Sequence, residues 1–377
     1  MAAAWCLIRE MSGPASHAAA TLRLHGAALW AVGVCAAALG LLRCDGGASS
    51  TRITPPPETV RTAAVPRRAD TVASGASSAV APGAAAAPRA STPASAEAFR
   101  HPAPGRLIAI GDVHGDLAAT LAALRLGGAI DEAARWVGGN LTVVQTGDQL
   151  DRGDDEPEIV DLFERLTKDA RVSGGQVVAL NGNHEVMNAQ GDFRYVTPEG
   201  LADFGGVSPR SQHADAAPPE AKDRAAAFLP GGAYALKLAQ RDVIAVVGDS
   251  VFVHGGILPD HLGYGIDRIN RETRDWMQSG GRVAPAGVAS STGPVWVRDY
   301  SLDPVSENTC ASLASVLDAL GVARMVVGHT PQKNGITSAC GERVYRIDVG
   351  LARYYGEGPI QVLEIADGVV RTLSAAR

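Results

Sequence analysis

The chain has 377 residues, 46% hydrophobic and 20% charged, with a formal net charge of −6. That is enough apolar material for a sizeable core in one or two domains. The acidic excess and the lack of a long Lys/Arg run argue against a nucleic-acid backbone binder, whose affinity rests mainly on basic side chains.

Ala27 to Leu42, AALWAVGVCAAALGLL, is an uncharged apolar run with Arg23 and His25 before it. It falls short of the roughly 18 residues expected of a membrane span, yet suits the apolar stretch of an export signal. Residues 1–44 are therefore expected to be a signal or membrane-anchor segment, and the protein to be exported or membrane-associated (periplasmic or extracytoplasmic). LLRC, Leu41 to Cys44, is a poor lipoprotein cleavage box, because Arg43 stands where a small residue is wanted. Residues 45–104 are rich in Ala, Pro, Ser and Thr. Such a segment cannot bury enough apolar area to offset its ordering entropy, and reads as a disordered linker. An Ala/Ser/Arg-rich, acid-poor leader also suits an organellar transit peptide, so the sequence leaves both addresses open.

Residues 105–377 have the pattern of a folded domain. RLIAI, LTVVQ, QVVAL, DVIAVVG, SVFVH and RMVVG are short apolar runs bounded by Gly, Asp or Asn. Their continuous apolarity predicts strands covered on both faces. Ile159, Leu162, Phe163 and Leu166 recur at helical spacing, as do Leu313, Val316, Leu317 and Leu320, and these are core stripes. The expected class is α/β, with layered central sheets flanked by helices. Residues 192–232 and 258–293 read as loop insertions forming a lid. IQVLEIADGVVRTL closes the domain as a strand pair. Five cysteines are too few for a disulfide scaffold; Cys310 and Cys340 either pair or remain buried thiols.

Three predicted strands end alike. RLIAI runs into Asp112 and His114, LTVVQ into Asp148, Asp151 and Arg152, and QVVAL into Asn183, His184 and Glu185. Successive sites are about 35 residues apart, close to the repeat of a strand–helix–strand unit. Two later strands end at His254 and His329. Ligands of open α/β sheets bind outside the carboxyl ends of strands, so these groups should converge. Each alone has a bland reading as a turn residue or a helix cap. Together they point to metal. Asp oxygens, an Asn carbonyl and imidazoles suit borderline or hard divalent ions, and the set is large enough for two ions about 3.5–4 Å apart.

The blocks GDVHG, GDQLDRG, GNHE, HGG and GHTP, in this order, resemble the metallophosphoesterases of the protein-phosphatase (calcineurin-like) superfamily. GPVWVRDYS and RMVVGHTPQ…RVYRIDVGL look most like the Shewanella-like, bacterial-type protein phosphatases. The resemblance implies Asp112, His114 and Asp148 on one metal, with Asp148 bridging to a second held also by Asn183, His254 and His329. It implies His184 as general acid, oriented by Asp151, and Arg152 on the phosphoryl oxygens. A second substrate-binding arginine falls at Arg298, with Arg194 as its rival, and Glu185 would be an outer-shell acceptor. No counterpart of the C-terminal tail of the eukaryotic Ser/Thr enzymes is present. The cofactors implied are two divalent ions, Mn, Fe or Zn, activating a water as hydroxide. The substrate implied is a phosphoprotein, carrying phosphotyrosine or phosphoserine/threonine, or a small phosphoester. A nucleotide or dinucleotide polyphosphate phosphoesterase is the enzymatic alternative. A tethered scaffold without turnover is the other, disfavoured because no ligand is missing.

Overall fold

The structure, a computed structural model, describes residues 98–377. The expected signal or anchor, and the linker up to residue 97, lie outside the described residues. The end of that linker is ordered instead, with Phe99 in the core and Arg100 and His101 paired to Val246 and Val247. In chain order the elements are β1 (Arg100–His101), β2 (Arg106–Ile110), α1 (Leu117–Leu126), β3 (Thr142–Gln145), α2 (Glu156–Val172), β4 (Gln176–Ala179) and α3 (Asn183–Gln190). Then follow α4 (Lys222–Phe228), α5 (Ala233–Leu238), β5 (Ile244–Val247), β6 (Ser250–Val253), α6 (Pro259–Tyr264), α7 (Ile266–Ser279) and α8 (Ala286–Ala289). The chain ends with α9 (Glu307–Leu320), β7 (Arg324–Val327), β8 (Thr337–Ala339), β9 (Val344–Arg346), β10 (Ile360–Ala366) and β11 (Val369–Ala375).

All six apolar runs are strands, and their continuous apolarity has a simple cause. The strands form two sheets, ordered β11-β10-β2-β3-β4 and β1-β5-β6-β7-β9-β8. Side chains of a strand alternate between faces. Leu107, Ala109 and Val144 of one sheet meet Ala245, Phe252 and Val326 of the other in a shared inner layer. On the opposite face, Ile108, Ile110 and Val143 pack with Ile159, Phe163 and Leu166 of α2. Val251, Val253 and Val327 likewise pack outward against Leu313 and Leu317 of α9. Both faces are therefore dry, and the fold is helix, sheet, sheet, helix. Helix ends follow local chemistry: Asp116 caps α1 through Ala119 N–H (2.9 Å), and Ser306 caps α9 through Thr309 N–H (3.1 Å).

The two insertions are more ordered than loop segments. Residues 258–293 contain α6, α7 and α8. The buried stripe of α7 is Ile266, Ile269, Asn270, Thr273, Trp276 and Met277, which is helical in spacing but polar at two positions. Asn270 is tolerated there because its amide accepts from Val243 and Ile244 N–H (2.9 and 3.1 Å) and donates to Ile244 C=O (2.8 Å). Residues 192–232 place Phe204 and Phe228 in the core, where Tyr234 joins them. Cys310 and Cys340 form a disulfide. Among the described residues no helix is long and apolar enough to cross a membrane.

Phe252 is fully buried between the sheets, whereas Val172 is 90% exposed at the end of α2. In urea unfolding, Phe252→Ala is expected to cost about 3–5 kcal/mol. Val172→Ala should stay within about 0.5 kcal/mol of the parent.

Candidate metal centre

β2, β3 and β4 are neighbouring parallel strands whose last residues, Ile110, Gln145 and Ala179, are in register. The loops that leave them start level and carry Asp112 and His114, then Asp148, Asp151 and Arg152, then Asn183 and His184. β6 and β7 are parallel neighbours in the second sheet, ending at paired Val253 and Val327, and deliver His254 and His329. Asp112, His114, Asp148, Asp151, Asn183, His184, His254 and His329 are all buried.

The loops hold sharp conformations. His114, Asp148, Asp151, Arg152 and His329 have φ of 38°, 57°, 68°, 66° and 69°. Such residues cost about 1–3 kcal/mol each and persist only where the surroundings over-determine them. Here the surroundings are hydrogen bonds. The Glu185 carboxylate accepts from the N–H groups of Asp148 and Gln149 (both 2.8 Å) and of Gly182 (2.6 Å). Asp148 C=O accepts from Val113 and His114 N–H, each 3.0 Å. Glu185, expected as an outer acceptor, thus ties two ligand loops together. Gly182 is required by close approach, because a Cβ there would collide with Asp148 Oδ1.

At the centre is the Asp148 carboxylate. Oδ1 accepts His184 N–H (3.0 Å). Oδ2 faces three imidazole nitrogens: His254 Nε2 at 3.2 Å, His114 Nε2 at 3.7 Å and His184 Nε2 at 3.7 Å. Two compact groups of ligand atoms result, His114–Asp148–His184 and Asp148–His254–His329, with Asp148 in both. Asp112 Oδ2 lies 3.9 Å from His114 Nε2, and both Asp112 oxygens accept His329 N–H. Asn183 Oδ1 is 2.9 Å from His254 Nε2.

The donor chemistry fits cations. His114 Nδ1 faces Leu150 C=O (2.9 Å) and His254 Nδ1 faces Thr146 C=O (3.0 Å). A carbonyl only accepts, so each Nδ1 carries the hydrogen and each Nε2 presents a lone pair, the arrangement ligand histidines need. The His254 lone pair then points at Asn183 Oδ1, His329 Nδ1 (3.2 Å) and Asp148 Oδ2. At most one of these atoms can bring a proton, and a cation between them would satisfy the rest. Burial and then the neighbouring imidazoles hold His114 and His329 well below the usual histidine range, which keeps them neutral. Burial, Asp348 and Asp148 push Asp112 well above the carboxylate range. Burial also lifts Asp348 to about 6, and its Oδ2 has no partner.

His184 differs from the other imidazoles. Its Nδ1 lies 2.5 Å from Asp151 Oδ2, and Asp151 Oδ1 accepts from Asn188 Nδ2 (2.9 Å) and Arg224 Nη2 (3.0 Å). Burial alone would lower its pKa, but Asp148 and Asp151 outweigh burial and raise it. Arg152 is half-buried. Its Nη1 donates to His114 Nε2 (2.7 Å) and to the Tyr355 hydroxyl, while its Nε is buried without a partner. Arg298 donates through Nη1 to His329 C=O and Thr330 Oγ1, both 2.9 Å, which puts it beside the site. Arg194 is exposed and pairs with Asp192 in its own loop.

Every sequence-predicted ligand is therefore gathered here, and several neighbours were not foreseen. Asp348 follows VYRI, where Arg346 breaks the apolar pattern that marks the other site acids. Asn188 lies four residues after His184 on one helix face. Tyr195 lies in a loop with no pattern, and Arg224 sits in an Ala-rich stretch with no local signal.

The calcineurin-like phosphoesterase family pattern matches residues 105–333. The chain is 40% identical over 305 residues to Shewanella-like protein phosphatase 2 of Arabidopsis thaliana, covering 72% of this chain and 78% of that one. It is 30% identical over 281 residues to Shewanella-like protein phosphatase 1 of Plasmodium berghei, covering 71% and 74%. A crystal structure of a cold-active protein-tyrosine phosphatase from a psychrophilic Shewanella species superposes with a TM-score of 0.56 at 25% identity, covering 73% and 82%.

Because Asp148 belongs to both ligand groups, Asp148→Asn is expected to lower metal content as well as rate. Mass spectrometry or elemental analysis of the purified variant checks this. Full retention of the parent's metal complement would remove the shared-ligand role.

Proposed function

Since the chain belongs to the calcineurin-like phosphoesterases, and within them to the Shewanella-like protein phosphatases, we propose that it dephosphorylates phosphoproteins with a preference for phosphotyrosine. The observation that carries this reading is the surround of Arg152. The rings of Tyr195, Tyr354 and Tyr355 lie 5.2, 5.5 and 5.4 Å from its guanidinium carbon. All three are partly exposed, at 41%, 64% and 37%. A phosphotyrosyl ring whose phosphate reached Arg152 would pack among them, and aromatic pairs add about 0.5–1.5 kcal/mol beyond their buried area. Phosphoserine has no ring to offer. The solved Shewanella relative, named a tyrosine phosphatase, supports the same substrate.

On this reading Asp112, His114 and Asp148 would hold one divalent ion, and Asp148, Asn183, His254 and His329 a second. Oxygen and imidazole donors without thiolate suit Mn, Fe or Zn. When bound, such a pair supplies an acidified water and neutralises phosphoryl charge. Arg152 would donate through its Nη groups to the phosphoryl oxygens, displacing the Tyr355 hydroxyl, since charge-assisted hydrogen bonds are strong. Arg298, fixed on His329 C=O, adds a second positive charge at the rim. The Asp151 carboxylate facing Nδ1 favours the protonated His184 ring. As the P–O bond breaks, the leaving oxygen takes that proton from Nε2, while Nδ1–H stays on Asp151. General-acid help of this kind is worth about 10²–10⁴-fold.

Two measurements test this. With the full chain loaded with Mn²⁺, a phosphotyrosine peptide should be hydrolysed with kcat/KM about tenfold above its phosphoserine counterpart, the equivalent of about 1.4 kcal/mol. Equal values would withdraw the tyrosine preference, and turnover of dinucleotide polyphosphates alone would replace the reading. His184→Ala should slow alkyl phosphates by about 10²–10⁴-fold and aryl phosphates with good leaving groups much less. Equal losses on both would reject His184 as proton donor.

A further inference from the structure

Arg224 belongs to none of the phosphatase blocks. It sits on α4, within residues 192–232, and is 0% exposed. Every donor of its guanidinium is used. Nε donates to Asn188 Oδ1 (2.8 Å), and Nη1 to Glu156 Oε2 (2.5 Å) and Gly200 C=O (2.8 Å). Nη2 donates to Glu156 Oε1 (2.7 Å) and Asp151 Oδ1 (3.0 Å). Five N–H groups meet five acceptors, the full capacity of the fork. Phe204 and Phe228 lie 5.3 and 4.9 Å from the guanidinium carbon and keep water out.

The arrangement is directed at one atom pair. Asp151 Oδ1 is held by Arg224 and by Asn188 Nδ2, so Oδ2 alone is left for His184 Nδ1. Asn188 is itself fixed by Arg224 on Oδ1 and by His184 C=O on Nδ2. Glu156 also accepts Asp151 N–H (2.5 Å), which pins the left-handed backbone of Asp151. A buried ion pair is seldom needed for stability alone, since well-packed apolar groups of similar volume serve as well or better. One bond of this guanidinium holds Asp151 directly, and those to Asn188 and Glu156 fix the two side chains that also bind Asp151, so the cluster serves orientation instead.

We propose that Arg224 is a positioning residue for the proton donor. It locks the Asp151 carboxylate so that the His184 imidazole keeps one orientation, with Nε2 turned toward the metal-ligand carboxylate Asp148. The proposal rests on reading His184 as the general acid. It also makes residues 192–232 part of the reaction machinery.

The test is steady-state kinetics on the full-length, Mn²⁺-loaded protein with an alkyl phosphate and para-nitrophenyl phosphate. The variants are Arg224→Lys and the double variant Arg224→Met/Glu156→Gln, beside His184→Ala. Lysine offers a point charge that cannot span the five acceptors. The double variant removes the Arg224 and Glu156 charges together, so that Glu156 is not left unpaired and Asp151 keeps His184 and Asn188. Both should lower kcat for the alkyl phosphate by about 10–100-fold, as lost outer partners of active-site groups do, with metal content and the aryl KM near parental. The ratio of alkyl to aryl rates does not depend on how much of a preparation is folded, so reduced stability cannot mimic the effect. Equal losses on both substrates in the Arg224 variants, with unequal losses in His184→Ala, would leave Arg224 a purely structural residue. Equal losses in His184→Ala itself would overturn the proton-donor reading, and the role of Arg224 with it.

Discussion

Buried negative charge is the constraint around which this molecule is organised. Asp112, Asp148, Glu185 and Asp348 are each no more than 1% exposed and occupy one end of the two sheets. A carboxylate removed from water must be paired, hydrogen-bonded or protonated. Each solution is present. Glu185 is satisfied by three backbone N–H groups, and Asp148 lies among imidazoles. Asp112 and Asp348, close together, are pushed toward the protonated form, and cations would restore their charge. The strained backbone at His114, Asp148 and His329 exists to aim these groups inward.

The ligands come from both sheets. β2, β3 and β4 deliver the aspartates, His114 and Asn183, while β6 and β7 deliver His254 and His329. Contact between the two sets depends on the apolar layer of Ala109, Val144, Phe252 and Val326 that fixes one sheet on the other. Packing and coordination are therefore one problem. A shift between the sheets would part Asn183 from His254.

The sequence was most readable where chemistry is local. Apolar runs ending in Asp, Asn or His beside Gly disclosed the strands and the ligand loops, because a strand end and a tight turn are encoded within a few residues. α7 was missed because Asn270 and Thr273 interrupt the apolar character of its buried stripe, and Asn270 is explained only by β5 beside it. Arg224 is 73 residues from Asp151 and 68 from Glu156, and nothing within its own helix announces either partner. Asp348 is concealed because Arg346 breaks the run before it, unlike the apolar runs before Asp112 and Asp148. Long-range pairings of single polar residues leave no periodic trace.

The contact between Arg152 and the Tyr355 hydroxyl bears on how a cycle ends. A hydroxyl is a weak rival for a guanidinium, and a dianionic phosphoryl group displaces it readily. For the phosphotyrosine substrate proposed above, the dephosphorylated product would keep only a neutral phenol, no stronger an acceptor than Tyr355 and not tethered as Tyr355 is. The enzyme's own tyrosine can then retake the arginine, giving the site an internal competitor that favours departure of the dephosphorylated chain.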